Sequence, residues 1–249
     1  KETAVEWLLS MLDYNEKMLG IKEIIEQAKE INELLLANNI TPIFLKGTGN
    51  LLEGLYEDIE SDVVRELNGE IGKTSALLYG LPGNGKSRFV KYIAQKYELP
   101  IYSFYFNPEY NNLDILQSFS NIPKRSIILL EDFDNYFDDR KCIMPSENIK
   151  FTFDVFLSSL DGVYNEYKET IFFMTVNDIT KVSNALTKRP SRFKYVREFT
   201  NPSLELRQEL LGETFEELGD ISLDQVFKLK DYKDLKGVLM LDEAKKLIQ

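Results

Sequence analysis

Short apolar runs punctuate the middle of the chain, each followed by a glycine turn, an acid-tipped turn or a helical stripe. Ser75–Tyr79, Ile101–Phe106, Ser126–Leu130, Thr170–Val176 and Val196–Phe199 are continuously apolar or aromatic and β-branched, as strands buried on both faces are. Helical patterning fills residues 56–69, Lys86–Tyr97 and Phe151–Leu160 between them. Strands alternating with helices predict a parallel sheet covered on both faces. After Pro202 the pattern turns helical and acidic with no further strand. At the other end, Val5, Leu8, Leu9 and Leu12 form one stripe. Ile21, Ile24, Ile25, Ala28, Ile31 and Leu35 form a second, with Gly20 as a break between them. These predict a helical hairpin, either packed on the main domain or serving as a docking or assembly element. A Gly-, Asn- and Thr-rich linker with Pro42 follows over residues 39–55. The chain thus divides into an N-terminal helical extension (1–49), an α/β core (50–200) and a C-terminal helical unit (201–249).

Composition narrows the chemistry. None of the 249 residues is His, which excludes imidazole catalysis and His-ligated metals. Cys142 is the single cysteine, so no intrachain disulfide forms and a reducing compartment is expected. A net charge of −11 repels phosphate backbones, which makes nucleic acid a poor partner unless a local basic face exists. No run of about 18 apolar residues is present, so no membrane association is expected, and no secretory leader is visible. The chain opens on Lys1 rather than Met, which leaves a longer native N-terminus open. The location expected from these features is cytoplasmic.

Four segments carry candidate chemistry. GLPGNGKS at 80–87 fits the phosphate-loop pattern G-x-x-x-x-G-K-[ST] between a strand and a helix. Gly80, Gly83 and Gly85 let backbone amides curl around phosphates, and the following helix N-terminus adds positive potential. Pro82, Asn84 and Arg88 complete the expected ATP-binding set with Lys86, which reaches the β- and γ-phosphates, and Ser87, which binds Mg²⁺. IILLEDFD at 127–134 is a buried strand ending in acids, one to hold Mg²⁺ and the next to orient the attacking water. FFMTVND at 171–178 brings Asn177 to the same sheet edge, to reach the γ-phosphate or the water. KRPSRF at 188–193 places Arg189 and Arg192 before the last strand; such a basic cluster is ordinarily a solvated face.

The four segments fall in the order found in AAA+ proteins. The chain resembles the Bcs-type AAA ATPases, relatives of the mitochondrial Rieske-protein translocase, over roughly residues 50–200. The resemblance rests on LLYGLPGNGKS, ILLEDFD, FTFDVFLSSLDGV, IFFMTVND and NALTKRPSRFKY. It implies an α/β AAA+ P-loop NTPase core with a parallel five-stranded sheet of order 5-1-4-3-2, a small C-terminal helical lid, and nucleotide held between the two. It places Glu131 on the metal side with Ser87 and Asp132 in the catalytic position, with Asn177 within reach of the γ-phosphate or the water. Arg192 becomes the arginine finger acting on a neighbouring subunit, with Arg189 as the alternative. The implied assembly is a self-association into a ring of six or seven subunits.

Several features depart from that family. A helical hairpin stands where the family has a membrane helix and adjoining domain. Ser191 replaces the Gly before the finger Arg. FNPEYNN at 106–112 lacks the peptide-threading pattern, with Tyr110 the nearest substitute. No Arg occupies the lid's nucleotide-sensor position; Lys236 is the nearest substitute. The stretch TAVEWL…IIEQAKE resembles a helical segment of many phage-encoded proteins, which would make the compartment an infected host's cytoplasm. The expected activity is Mg-ATP hydrolysis driving remodelling or translocation of an unidentified protein. A nucleic-acid-linked accessory ATPase of replication or packaging and a slow nucleotide-gated assembly switch are the alternatives.

Overall fold

The computed structural model describes residues 41–43, 56–145, 149–161 and 169–248. The expectations for the N-terminal helices, the phage-like stretch and most of the linker lie outside these residues. The five apolar runs form β2 (Ser75–Tyr79), β3 (Ile101–Ser103), β4 (Ser126–Leu130), β7 (Thr170–Val176) and β8 (Tyr195–Glu198). All pair in parallel, in the expected order read from the β8 edge. One strand of this sheet was not expected. β1 (Thr41–Ile43) lies within the stretch read as linker and adds antiparallel to β3, with Thr41 opposite Ser103 and Ile43 opposite Ile101. The physical reason is that β3 would otherwise be an open edge of unpaired amides and carbonyls, and an edge strand tolerates Pro42.

Strand side chains alternate between two buried layers. Ala76, Leu78, Ile127, Leu129, Ile171 and Phe173 pack with α1 (Glu57–Leu67) and α2 (Lys86–Lys96). Leu77, Ile128, Leu130, Phe172, Met174 and Val176 face a layer rich in phenylalanine under α3 (Asn112–Ser120) and α4 (Phe153–Leu160). There Phe106, Phe133, Phe137 and Phe156 meet ring to ring at 5.0–6.3 Å. α3 is not marked by the apolar pattern of the sequence. Its start is a capping box: the Asn111 side chain accepts from the Leu113 and Asp114 amides, and Asp114 returns the bond to the Asn111 amide. Tyr110, the candidate threading residue, is half-buried against Phe104 instead of projecting freely. Between β4 and α4 lies a small hairpin, β5 (Phe137–Asp138) with β6 (Lys141–Cys142). Phe137 ties it into the aromatic layer.

A short helix, α5 (Asn184–Thr187), precedes β8; beyond β8 the described chain is helical, with α6 (Leu204–Leu211), α7 (Leu223–Lys236) and α8 (Leu241–Ile248). These last three have their own core of Leu211, Phe215, Ile221, Val226, Leu229, Leu239 and Ala244.

One carboxylate pins the start of the sheet. Glu66, in the last turn of α1, is fully buried and accepts from the backbone amides of Thr74 and Thr170 (2.9 Å to Thr170), at the N-terminal ends of β2 and β7. Burial outweighs those two donors and pushes its pKa from 4.5 up to about 7. The folded protein therefore holds a proton that the unfolded chain releases. That contribution to stability is complete below about 4.5 and is lost as pH rises through about 7. We expect denaturant midpoints to fall across this window in the native protein and to be flatter in Glu66→Gln. Equal slopes in the two proteins would refute the assignment.

Candidate nucleotide-binding site

The phosphate loop hangs between strand ends. The Gly80 amide donates to Val176 O (3.2 Å), and the Phe199 amide donates to Tyr79 O (2.7 Å), so the loop leaves β2 flanked by β7 and β8. Gly80 has φ +134°, and a Cβ there would lie 2.2 Å from Phe199 O, so backbone contact itself demands glycine. Gly83 is under a double constraint, φ +81° and a Cβ position 3.0 Å from Ser222 Oγ. The loop feeds α2 through Gly85 in the left-handed region. It borders a cavity of about 440 Å³ lined by Pro82, Gly83, Gly85, Lys86, Ser87 and Arg88. From elsewhere in the fold come Lys91, Asp132, Asn177 and Asp224. Asn84, expected among the phosphate contacts, is not in that lining. Its side chain is buried and bonds to Asn201 and Leu223, because the loop turns it toward the helical unit.

A hydrogen-bonded chain crosses the cavity. Lys86 Nζ donates to Gly80 O (2.6 Å), Leu81 O (3.1 Å) and Asn177 Oδ1 (2.9 Å), which uses all three of its protons. Asn177 Nδ2 donates in turn to Asp132 Oδ1 (3.1 Å). Burial pushes the Lys86 ammonium below its usual pKa, opposed by the charges of Asp132 and Asp134. Asp132 sits at φ 46°, ψ 50°, a left-handed conformation uncommon for a non-glycine residue. Its amide is fixed by Thr175 Oγ1 on β7 (3.0 Å), and the next residue, Phe133, is locked in the aromatic layer.

The third acid of ILLEDFD has a role that the sequence pattern does not assign. Asp134 is buried, and its two oxygens accept from the amides of Asn177 (3.1 Å) and Asp178 (3.0 Å). It therefore sets the turn that presents Asn177. The available signal was an acid two residues past the catalytic candidate, followed by aromatic residues.

Glycine cradle, buried ammonium and paired polar strand ends suit a polyphosphate. Ser87 and Asp132 at the cavity wall offer oxygen ligands of the kind Mg²⁺ prefers. Glu131 stands at the end of β4, outside the cavity lining. Among the described residues no cluster of three or more Cys, Asp or Glu forms a separate metal site.

The two arginines are placed differently from expectation. Arg192, expected to point across a subunit interface, has a side chain only 8% exposed. Its Nε and Nη2 grip both Asp161 oxygens at 2.8 Å, and its Nη1 donates to Ala185 O (2.8 Å). A bidentate, desolvated guanidinium of this kind is a structural clamp. The first cause holding the Asp161 carboxyl below its usual pKa is this same pair. Arg189 is 55% exposed, held loosely by Asp161 (3.3 Å) and by Ser191 Oγ (3.2 Å).

A family model described as "ATPase family associated with various cellular activities (AAA)" matches residues 76–201, half of the chain. The chain belongs to the AAA family of ATPases. Among curated relatives, it is 32% identical to a probable mitochondrial chaperone BCS1-A of Dictyostelium discoideum over 150 residues, 56% of this chain and 35% of that protein. It is 37% identical to the mitochondrial chaperone BCS1 of Danio rerio over 124 residues, 47% of this chain and 29% of that protein. A probable mitochondrial chaperone bcs1 of Schizosaccharomyces pombe shares 30% over 177 residues, 68% of this chain and 38% of that protein. The Bcs-type resemblance is borne out, although the chain spans only about a third of these relatives' length. A solved FIGL-1 AAA domain in complex with ADP superposes with TM-score 0.61 at 17% identity, covering 89% of this chain and 90% of that one. These relatives overturn the expected cytoplasmic location, since their names place them in mitochondria. Among the described residues no helix is long and apolar enough to cross a membrane.

In this AAA chain the lid meets the cavity through α7. Asp224, in its first turn, lines the cavity, and Phe227 lies under the Arg88 guanidinium at 4.0 Å. Lys236, the expected substitute for the lid's sensor Arg, is at the opposite end of the same helix, about 18 Å along it at 1.5 Å per residue. It is exposed there, so it does not fill that position.

Arg192→Ala is expected to destabilise the fold by about 3 kcal/mol, the scale for stripping one partner from a buried ion pair. Arg189→Ala should cost less than about 1 kcal/mol, as exposed pairs do. Urea denaturation of the two variants checks the contrast; equal losses would contradict it.

Proposed function

We propose that the chain is an Mg-ATP hydrolase that works as a ring of six or seven copies of itself and uses the energy to remodel or translocate a protein. The observation that carries the hydrolase reading is the Asn177 amide bridging Lys86 and Asp132 across the cavity. It supports reading Lys86 as a phosphate-binding cation and Asp132 as a water-orienting carboxylate, since the two flank one polar side chain at the C-terminal edge where parallel sheets bind ligands.

In this mechanism the loop amides from Gly83 to Arg88 and the N-terminus of α2 hold the phosphates. Lys86 exchanges its carbonyl partners for phosphate oxygens, and burial strengthens that exchange. Ser87, on the cavity wall, would hold a Mg²⁺ together with Glu131, which stands just beyond that wall after β4, and the ion would supply neutralisation of the phosphate charge. Asp132 accepts a hydrogen bond from the attacking water, and Asn177 keeps Asp132 aimed. Arg189, exposed and loosely held, is the residue suited to reach the γ-phosphate of a neighbouring subunit; buried Arg192 supports the segment that presents it. The chaperone names of the Bcs-type relatives support a protein substrate, and a net charge of −11 disfavours nucleic acid.

Three outcomes are expected in a phosphate-release assay with parallel nucleotide-binding measurements. Lys86→Ala abolishes binding or turnover while the fold persists, and unchanged turnover would overturn the cavity assignment. Asp132→Asn binds Mg-ATP and scarcely hydrolyses it, whereas Glu131→Gln weakens Mg²⁺-dependent binding. Arg189→Ala keeps its affinity but loses about 10³-fold or more in rate, the scale for a finger supplied in trans. Mixing it with Asp132→Asn subunits should restore part of that rate, and full activity from a monomeric preparation would defeat the ring. Stimulation by a protein partner would support remodelling; salt-sensitive DNA binding would contradict it.

A further inference from the structure

Asn84 turns its side chain away from the cavity and into the joint between core and lid. Its Nδ2 donates to Asn201 Oδ1 (2.9 Å) and to Phe199 O (3.4 Å), both in the segment leaving β8. Its Oδ1 accepts from the backbone amide of Leu223 (3.2 Å), the first residue of α7. The adjoining Gly83 O accepts from the amide of Asp224 (2.9 Å). A helix begins with four amides that have no intrahelical partner. In α7 the Ser222 side chain caps only the Gln225 amide (3.3 Å), while the amides of Leu223 and Asp224 are satisfied by the phosphate loop. The loop therefore completes the first turn of the lid helix. The approach is close enough that a Cβ on Gly85 would meet Leu223 Cδ2 at 3.2 Å.

We propose that Asn84 is a positioning residue that joins the phosphate loop, the exit from β8 and the first turn of α7 into one moving part. This rests on the reading of the cavity as an ATP site. Any change in loop shape that phosphates impose shifts Asn84, and with it two lid amides and the backbone at residues 199–201. In the other direction, the lid's position restrains the loop and sets where Asp224 faces the cavity. Ground-state binding is secured by Lys86 and the loop amides. What the joint adds is fixity of the loop, on which turnover depends more than affinity.

The test compares the full chain with Asn84→Ala and Asn201→Ala by hydrogen exchange of the peptide that begins α7, with and without Mg-ADP, alongside fluorescent ADP binding and steady-state ATPase kinetics. In the parent, nucleotide should slow exchange at the start of α7. In Asn84→Ala, exchange there should be about tenfold faster, the equilibrium factor for losing one to two such hydrogen bonds, and no longer respond to nucleotide. The affinity for ADP should stay within about threefold while kcat falls about tenfold at nearly constant KM, the split expected when positioning rather than binding is lost. Asn201→Ala, which removes one of the three hydrogen bonds of Asn84 and leaves its bond to Leu223, should move the same quantities in the same direction by less. Parental exchange, nucleotide response and kcat in a folded Asn84→Ala protein overturn the proposal. If that variant does not fold, the same parental behaviour in Asn201→Ala overturns it. Failure of the parent to bind nucleotide overturns the cavity reading as well; normal binding with an unresponsive α7 overturns only the coupling.

Discussion

A lysine ammonium taken out of water needs oxygen on every side, and much of this fold is arranged around that requirement. Lys86 is 6% exposed, and its three protons go to two loop carbonyls and one amide oxygen. The carbonyls exist in that place because glycines let the backbone curl under the side chain. The amide oxygen is there because Asp134 fixes the end of β7 and so fixes Asn177. Asp132 counters the charge from across the cavity while its backbone is held in a strained conformation by Thr175 and Phe133. Remove the cation and each of these groups loses its reason for being where it is. Supply a polyphosphate and the same cation has a better partner than neutral carbonyls.

The sheet was legible because buried parallel strands have a simple signature. SALLY, SIILL and TIFFMTV are apolar on both faces and cannot be mistaken for amphipathic elements. The phosphate loop and Asn177 were legible because glycine spacing and strand ends are written in consecutive residues. What was not legible depended on partners far apart in sequence. Asn84 looks like any loop residue until Asn201 and Leu223 arrive beside it. Arg192 and Arg189 are three positions apart with similar neighbours, and only Asp161, from the end of α4, decides which is buried and which is exposed. β1 was hidden because a three-residue edge strand containing proline has no periodicity of its own. Asp224 was missed because a carboxylate beside a phosphate cavity runs against the expected charge.

The arginine pair also shows how one carboxylate can serve two purposes. Asp161 binds Arg192 through two short bonds and Arg189 through one longer contact. The first interaction holds the segment between α5 and β8 against α4. The second leaves a cation at the surface with a partner it can give up at little cost. Stability and reach are thus drawn from the same side chain by a difference in burial.

The placement of β2 has a consequence for how the chain comes to be folded. β2 is flanked by β7 and β8, so Ser75 pairs with Phe172, and Ala76 pairs with Tyr195. Gly80 packs against the carbonyl of Phe199. The phosphate loop is made before its partners, and its contact with Phe199 depends on a residue that leaves the ribosome more than a hundred positions later. β2 has no neighbour until β7 is made, and lacks its second until β8 follows. Pairings of such long sequence separation close slowly, and an unpaired apolar strand is prone to associate with the wrong chain while it waits. A nascent chain truncated before residue 199 carries every residue of the glycine-rich motif but lacks the backbone against which Gly80 packs.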